Sequence, residues 1–337
     1  MAARALALLA AVAMVVAAVV VRGRIDDGGA AGSGGGKPRL VCATELEAVC
    51  TALAAGGKVE VTVEPAATTA DTLSKVGPGE EPPLDGWLVT APWPDIVNQN
   101  RQRSGAAAVV SAGPVLARSP AVLAVRGDRK AALDKACGGT AGWKCLGDVA
   151  GRSWSDLGGG GGQVTPGHPP AGEAAGLTVL GAALAGFFGT TDLSRENLDD
   201  PGFRAWLDRL ERAAPGSDGS PIATMAVRPS AYDAVGAIEA EAGPLVATAR
   251  DPKPVLLYPD PVATADVVLA TTTRGGGPAV SSLVSGTGRS LLAGNGWRVP
   301  AHPLAPGLRA DLKLPAASNL PDPGVLEALR RRVEQAR

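Results

Sequence analysis

The 337 residues carry 32 basic and 33 acidic side chains, a net charge of −1, with no basic stripe along the chain, which excludes a nucleic-acid-binding surface. Apolar content of 45 % is enough for a substantial core, and with aromatics at only 3 % that core must be filled by Ala, Gly, Val and Leu. The 45 Gly and 28 Pro are dispersed, which points to many turns rather than to disorder.

Ala5 to Val21 is an uncharged apolar run of 17 residues. As a helix it rises about 25 Å, the short end of a membrane span. Residues 1–24 therefore read as an N-terminal transmembrane helix that anchors the chain. A cleaved signal peptide is the competing reading; against it, the run ends in Val-Val-Val-Arg rather than in a small-x-small site. Arg4 precedes the run and Arg22, Arg24, Asp26 and Asp27 follow it, so flanking charge does not orient it. Residues 25–38, centred on Gly28 to Gly36, form a Gly-rich linker.

The folded part starts near Pro38. Arg39 to Thr44 reads as a buried strand, and Glu45 to Ala55 as a helix with Thr44 as its N-cap and Gly56-Gly57 as its stop. Val59 to Glu64 alternates as a strand, Thr69 to Val76 is a helix, Gly86 to Thr90 a strand, and Pro94 to Arg103 a polar helix behind Trp93. This β-α-β-α-β-α order predicts a parallel, doubly wound sheet covered on both faces. Ala106 to Ala117 and Ala121 to Arg126 follow as two strands interrupted by Arg118-Ser119-Pro120, and a helix runs from Arg129 to Cys137. Beyond a Gly-rich passage come a short strand at Gln163 to Thr165, a turn at Pro166 to Pro170, and a long apolar helix from Ala171 to Phe188. Phe203 to Ala213 is an amphipathic helix; Tyr232 to Glu241 mixes strand and helix signals. Val255 to Tyr258 and Ala265 to Ala270 read as strands, Ser281 to Leu292 and Pro323 to Gln335 as helices. Arg330-Arg331-Arg332 reads as a solvated helix end complementing the macrodipole.

Four cysteines, at 42, 50, 137 and 145, fall into two local pairs of equal spacing. With no CxxC and only two His, zinc ligation has little support. Two short-loop disulfides, Cys42–Cys50 and Cys137–Cys145, fit best, with four buried free thiols as the alternative. Disulfides persist outside the cytoplasm, so the globular part is expected to face outward from the cell membrane on its single span.

The order of elements and several phrases resemble type 2 periplasmic binding proteins, the molybdate-type and related extracellular solute-binding proteins. RLVCATELEAVCTALAA resembles the first strand and helix, and ARSPAVLAVRGD the strand leading to the second lobe. QVTPGHPPAGEAAGLTVLGAAL resembles the second-lobe strand, turn and helix that face the ligand, and VLLYPDPVATADVVLATTT the return crossover. The resemblance implies an α/β two-lobed fold. Lobe one would comprise residues 39–125 plus 265–337 and lobe two residues 126–264, with two crossing strands as a hinge. It also implies a small polar solute as ligand, an ABC-type transporter as partner, and no cofactor.

In such a fold, helix N-termini point into the cleft and offer free N–H groups to a polar ligand. The matching positions are Thr44 and Glu45, Thr90 to Trp93, and Gly172 and Glu173, with Ser119 and Tyr232 supplying hydroxyls. Each also has a structural reading: Thr44 as a cap, Glu45, Asp95 and Glu173 as ordinary first-turn acids, Trp93 as a buried anchor, Tyr232 as a strand entrance. Pro92 lacks an N–H, and the acids at these helix starts repel another anion, so the pattern tilts away from molybdate or sulfate toward a neutral polar or cationic solute. A rival expectation keeps the fold without a ligand, as a protein-interaction module. No GxSxG elbow and no P-loop is present, and His168 and His302 read as exposed turn residues, so no enzyme activity is expected.

Overall fold

The computed structural model describes residues 36–215 and 219–336. The apolar run Ala5–Val21 and the linker up to residue 35 lie outside these; among the described residues no helix is long and apolar enough to cross a membrane.

Strands β1 (Arg39–Ala43), β2 (Glu60–Glu64) and β3 (Gly86–Ala91) alternate with helices α1 (Glu47–Ala55), α2 (Ala66–Ser74) and α3 (Trp93–Arg103). β1 pairs in parallel with both β2 and β3. A long strand β4 (Val110–Val125) leads to α4 (Gly127–Ala136), α5 (Trp143–Val149), the short β5 (Pro166–Gly167), α6 (Ala174–Phe188), α7 (Pro201–Ala213) and α8 (Pro221–Val227). Then come β6 (Ala234–Ile238), α9 (Glu239–Thr248), β7 (Val255–Leu257), β8 (Thr264–Thr272), α10 (Gly277–Leu283), α11 (Arg289–Gly294) and α12 (Pro323–Ala336). The strand order is β2-β1-β3-β8-β4-β6-β5, with β7 on β4.

The sheet is mixed, not parallel throughout. β8 runs antiparallel to β3 and to β4 because the chain re-enters the first layer from the far end after building the second. The expected break at Arg118-Ser119-Pro120 is absent: β4 is one strand of 16 residues that changes partners there. Val110 to Pro120 pairs with β8, while Ala121 to Val125 pairs with β6 and Leu123 to Val125 with β7. A proline, lacking an N–H, is tolerated where a strand leaves one ladder for another. Pairing of Pro166–Gly167 displaces the strand expected at Gln163–Thr165.

The partner change divides the core. β1, β3, β8 and α1 enclose one cluster around Trp87, Trp93 and Trp297. Beyond the switch, alternate side chains of β4 serve two faces: Leu123 and Val125 pack with Trp143, Trp154 and Trp206, while Val122 and Ala124 pack with Met225, Tyr232 and Val235. The few aromatics reach full burial because glycines make room. A Cβ at Gly147 would lie 2.2 Å from Nε1 of Trp206, the atom that donates to the Lys144 carbonyl at 2.8 Å. α12 lies across the division, with Val325, Leu329 and Val333 in the second cluster and Leu326 in the first. Arg330 is correspondingly not a solvated helix end. It is buried, paired with Glu327 at 2.8 Å, and stacked 5.8 Å from the Trp93 ring.

Where the chain returns, buried Glu239 gathers four donors: Arg298 Nε at 2.6 Å and Nη2 at 2.8 Å, Tyr258 Oη at 2.5 Å and the Arg309 N–H at 2.9 Å. A carboxylate and guanidinium buried together are stable only when so fully bonded. Burial, reinforced by this carboxylate, raises the Tyr258 phenol pKa.

Both disulfides are formed, and no free cysteine remains among the described residues. Cys42–Cys50 ties β1 to α1 inside the first cluster; Cys137–Cys145 ties the end of α4 to α5. Replacing Cys137 and Cys145 by Ala should lower stability in urea denaturation by about 2.5 kcal/mol, the chain-entropy value for so short a loop. The Cys42/Cys50 pair should cost more, because its truncation also leaves voids in the core.

Candidate functional site

After β1 the backbone does not enter an α-helix directly. It makes a 3-10 turn, Thr44–Leu46, before α1. The residue ahead of that turn is Ala43, with no side-chain cap, so Thr44 is not the expected N-cap; its hydroxyl is buried without a partner. The turn aims Glu45 across to α6, where Glu45 Oε1 accepts the Ala175 N–H at 2.5 Å, joining residues 130 apart in sequence. Glu173 occupies the N-cap position of α6 with extended backbone and makes no side-chain cap of its own.

These groups open onto a cavity of about 440 Å³. Thr44, Glu45, Glu47 and Val49 line it from the β1–α1 side, and Asn295 and Trp297 from the segment after α11. Glu173 and Ser220 face them from the starts of α6 and α8, and Ile238, Ala240 and Glu241 from the β6–α9 junction. Ser220 caps α8 through the Ala223 N–H and also donates to Glu241 Oε1.

The electrostatics are one-sided: every ionisable side chain in the lining is a carboxylate. Burial, only partly offset by N–H donation from Ala175 and from its own backbone and increased by Glu173 and Glu241, pushes Glu45 up to about 7. Glu173 is raised by burial and by Glu241; Glu241 is raised by burial against the hydrogen bond from Ser220. The start of α6 is thus already occupied. Its N–H groups and dipole, which would otherwise hold an anionic ligand, hold the chain's own carboxylate.

Of the residues singled out in the sequence, Thr44, Glu45 and Glu173 come together here. The others serve the packing. Gly172 accepts the Ala67 N–H at 2.9 Å through its carbonyl, and a Cβ at this position would lie 3.2 Å from the Ala67 methyl, a tight contact. Thr90 and Trp93 are buried, Trp93 beneath Arg330. Ser119 is fully buried and its Oγ accepts the Ala240 N–H at 2.8 Å, holding α9 to β4. Tyr232 packs in the third cluster against Gly167. His168 is not an exposed turn residue: it is 7 % exposed, with Nε2 2.7 Å from Glu211 Oε1. Glu241 and Ser220 escaped notice although their signals were the same ones used elsewhere, an acid early in a helix and a Ser before Pro. Nothing local distinguishes Asn295 or Trp297.

No known protein-family pattern matches the chain, and no curated protein matches it. Solved structures do match in fold. The periplasmic binding protein AfuA from Actinobacillus pleuropneumoniae, with fructose-6-phosphate bound, aligns at a TM-score of 0.59 and 10 % identity, over 90 % of this chain and 99 % of that one. Iron-bound HitA from Pseudomonas aeruginosa gives 0.58 at 14 % identity, over 88 % and 99 %. Apo FutA2 from Synechocystis gives 0.52 at 15 % identity, over 89 % and 96 %.

Ionising Glu45 costs more in the folded protein than in the unfolded chain, so stability falls as pH rises from the ordinary 4.5 toward 7. Between pH 5 and 7.5 the wild type should lose about 2 kcal/mol more than Glu45→Gln, measured by urea denaturation; parallel profiles would contradict the buried carboxylate. By its fold, the chain is similar to the type 2 periplasmic binding proteins, two-lobed and mixed α/β.

Proposed function

We propose that this chain is an extracytoplasmic solute-binding protein that captures a small polar solute in the cavity between its lobes. In this reading, residues 1–24 tether it to the cell membrane and residues 25–38 give it reach. Lobe one comprises 39–125 with 265–337 and lobe two 126–264, while β4 and β8 serve as the hinge. A captured solute would pass to an ABC-type transporter. The observation that carries the reading is the cavity itself, of small-molecule size and lined from both ends of the fold. AfuA and HitA, which share the fold, are a sugar-phosphate-bound periplasmic binding protein and an iron-bound protein respectively, which supports binding rather than catalysis. The two disulfides support the outward location.

A second reading, a ligand-free interaction module, draws on Glu45, which fills the helix start that a bound anion would use. Thermal-shift measurements over amino acids, sugars, oxyanions, amines and metal ions separate the two. A solute at 100 times its Kd should stabilise the protein by about 2.7 kcal/mol, and a flat response over the whole panel would favour the module. For the tether, full-length protein should stay with the membrane pellet after alkaline carbonate extraction and keep residues 1–24 in its intact mass. Release as a shortened chain would point instead to a cleaved signal.

A further inference from the structure

The ionisable part of the cavity lining is Glu45, Glu47, Glu173 and Glu241, without a Lys, Arg or His. An acidic lining alone says little, since acids are common at helix starts. A separate observation concerns unmet hydrogen bonding. Glu45 Oε2 and Thr44 Oγ1 are both buried with no partner, and both residues form the cavity wall. Buried polar oxygens are nearly always bonded, so two unmet ones on adjacent residues of one cavity wall leave a place for a donor from outside the chain. The Oε1 atoms of Glu45 and Glu241 are already engaged by Ala175 and Ser220. Unmet acceptors amid negative charge call for a ligand that donates hydrogen bonds and carries positive charge.

A metal ion is a poor match. Among the described residues no group of His, Cys, Asp or Glu could hold one. The carboxylates come instead from separate elements around a space far larger than an ion. Between them the wall includes the apolar residues Val49, Ile238 and Ala240, with Trp297 beside them. Such a wall suits an alkyl body.

We propose that the cavity binds a small organic cation, its ammonium group donating to Glu45 Oε2 and Thr44 Oγ1 and its charge balanced by Glu173 and Glu241. This rests on the reading of the cavity as the solute site and names the class of solute. Because the carboxylates repel one another when empty, a cation that enters favours their ionised forms, and binding near pH 6.5 releases protons.

Titration calorimetry of the full chain with 1,4-diaminobutane and with choline tests this. 3,3-Dimethylbutan-1-ol, the uncharged isostere of choline, together with sulfate, glucose and calcium, serves as control. At least one amine should bind saturably and more weakly as salt rises, with a heat that depends on the ionisation enthalpy of the buffer. Glu45→Gln and Glu173→Gln should each weaken it tenfold or more, and the controls should not bind. Glu173→Gln lies at the half-buried rim and gives a folded comparison should Glu45→Gln fail to fold. Binding of sulfate, glucose, calcium or the neutral isostere without either amine would overturn the cation assignment while leaving solute binding intact. Amine binding unchanged in Glu173→Gln would place the site elsewhere and also overturn it. Silence from amines, controls and the wider solute panel would remove both readings.

Discussion

The hydrogen bond from the Ala175 N–H to Glu45 constrains the rest of the site. A helix start is a positive end with unbonded N–H groups, and something must meet them. In this chain the partner is a carboxylate delivered by the turn after β1, from the other end of the fold. That single contact brings the β1–α1 junction onto the start of α6, where both contribute to the cavity wall, and it occupies the N–H that an anion would otherwise use. A site that could have attracted an anion becomes an enclosure of carboxylates whose charge is unfavourable until something positive joins them.

The contact joins two halves of the fold through which β4 runs uninterrupted. Its partner change at Ser119–Ala121 sets where one layer ends and the next begins, and the Ser119 hydroxyl at that point anchors the start of α9. On the return path Glu239 binds α9 to Tyr258, Arg298 and Arg309. Glu239 is thereby fixed in a fully bonded buried pair, while Glu241, two residues on, lines the cavity and accepts the Ser220 hydroxyl. The distinction between structural and available carboxylates is made by partners: Glu239 has four donors from three other residues, while Glu45 has the Ala175 N–H and its own backbone.

Local patterns disclosed much of this. Strand alternation, helix stops and the equal cysteine spacing gave most of the element order and both disulfides, while the two-lobed fold came from the resemblance to type 2 periplasmic binding proteins. Thr44, Glu45 and Glu173 could be placed because the resemblance puts helix starts at the cleft and each of them lies at the start of a predicted helix. What was hidden depended on distant partners. Ser119 and Tyr232 offered hydroxyls, yet one is consumed by Ala240 and the other lies in the core beside Gly167. The proline at 120 resembled a strand break because one sequence cannot reveal that a strand changes ladders there. His168, among prolines and glycine, resembled a surface turn, yet Glu211 from 43 residues away covers it. Trp297 reaches the cavity from near the end of the chain, through a turn with no signature.

Infrared or carbon-13 NMR titration of the Glu45 side-chain carboxyl in ligand-free protein addresses the site most directly. The carboxyl should remain protonated through the mildly acidic range and titrate near 7, moving down when an organic cation is added. A midpoint in the ordinary range near 4.5, unmoved by any amine, would contradict both the enclosure of this carboxylate and the role given to it.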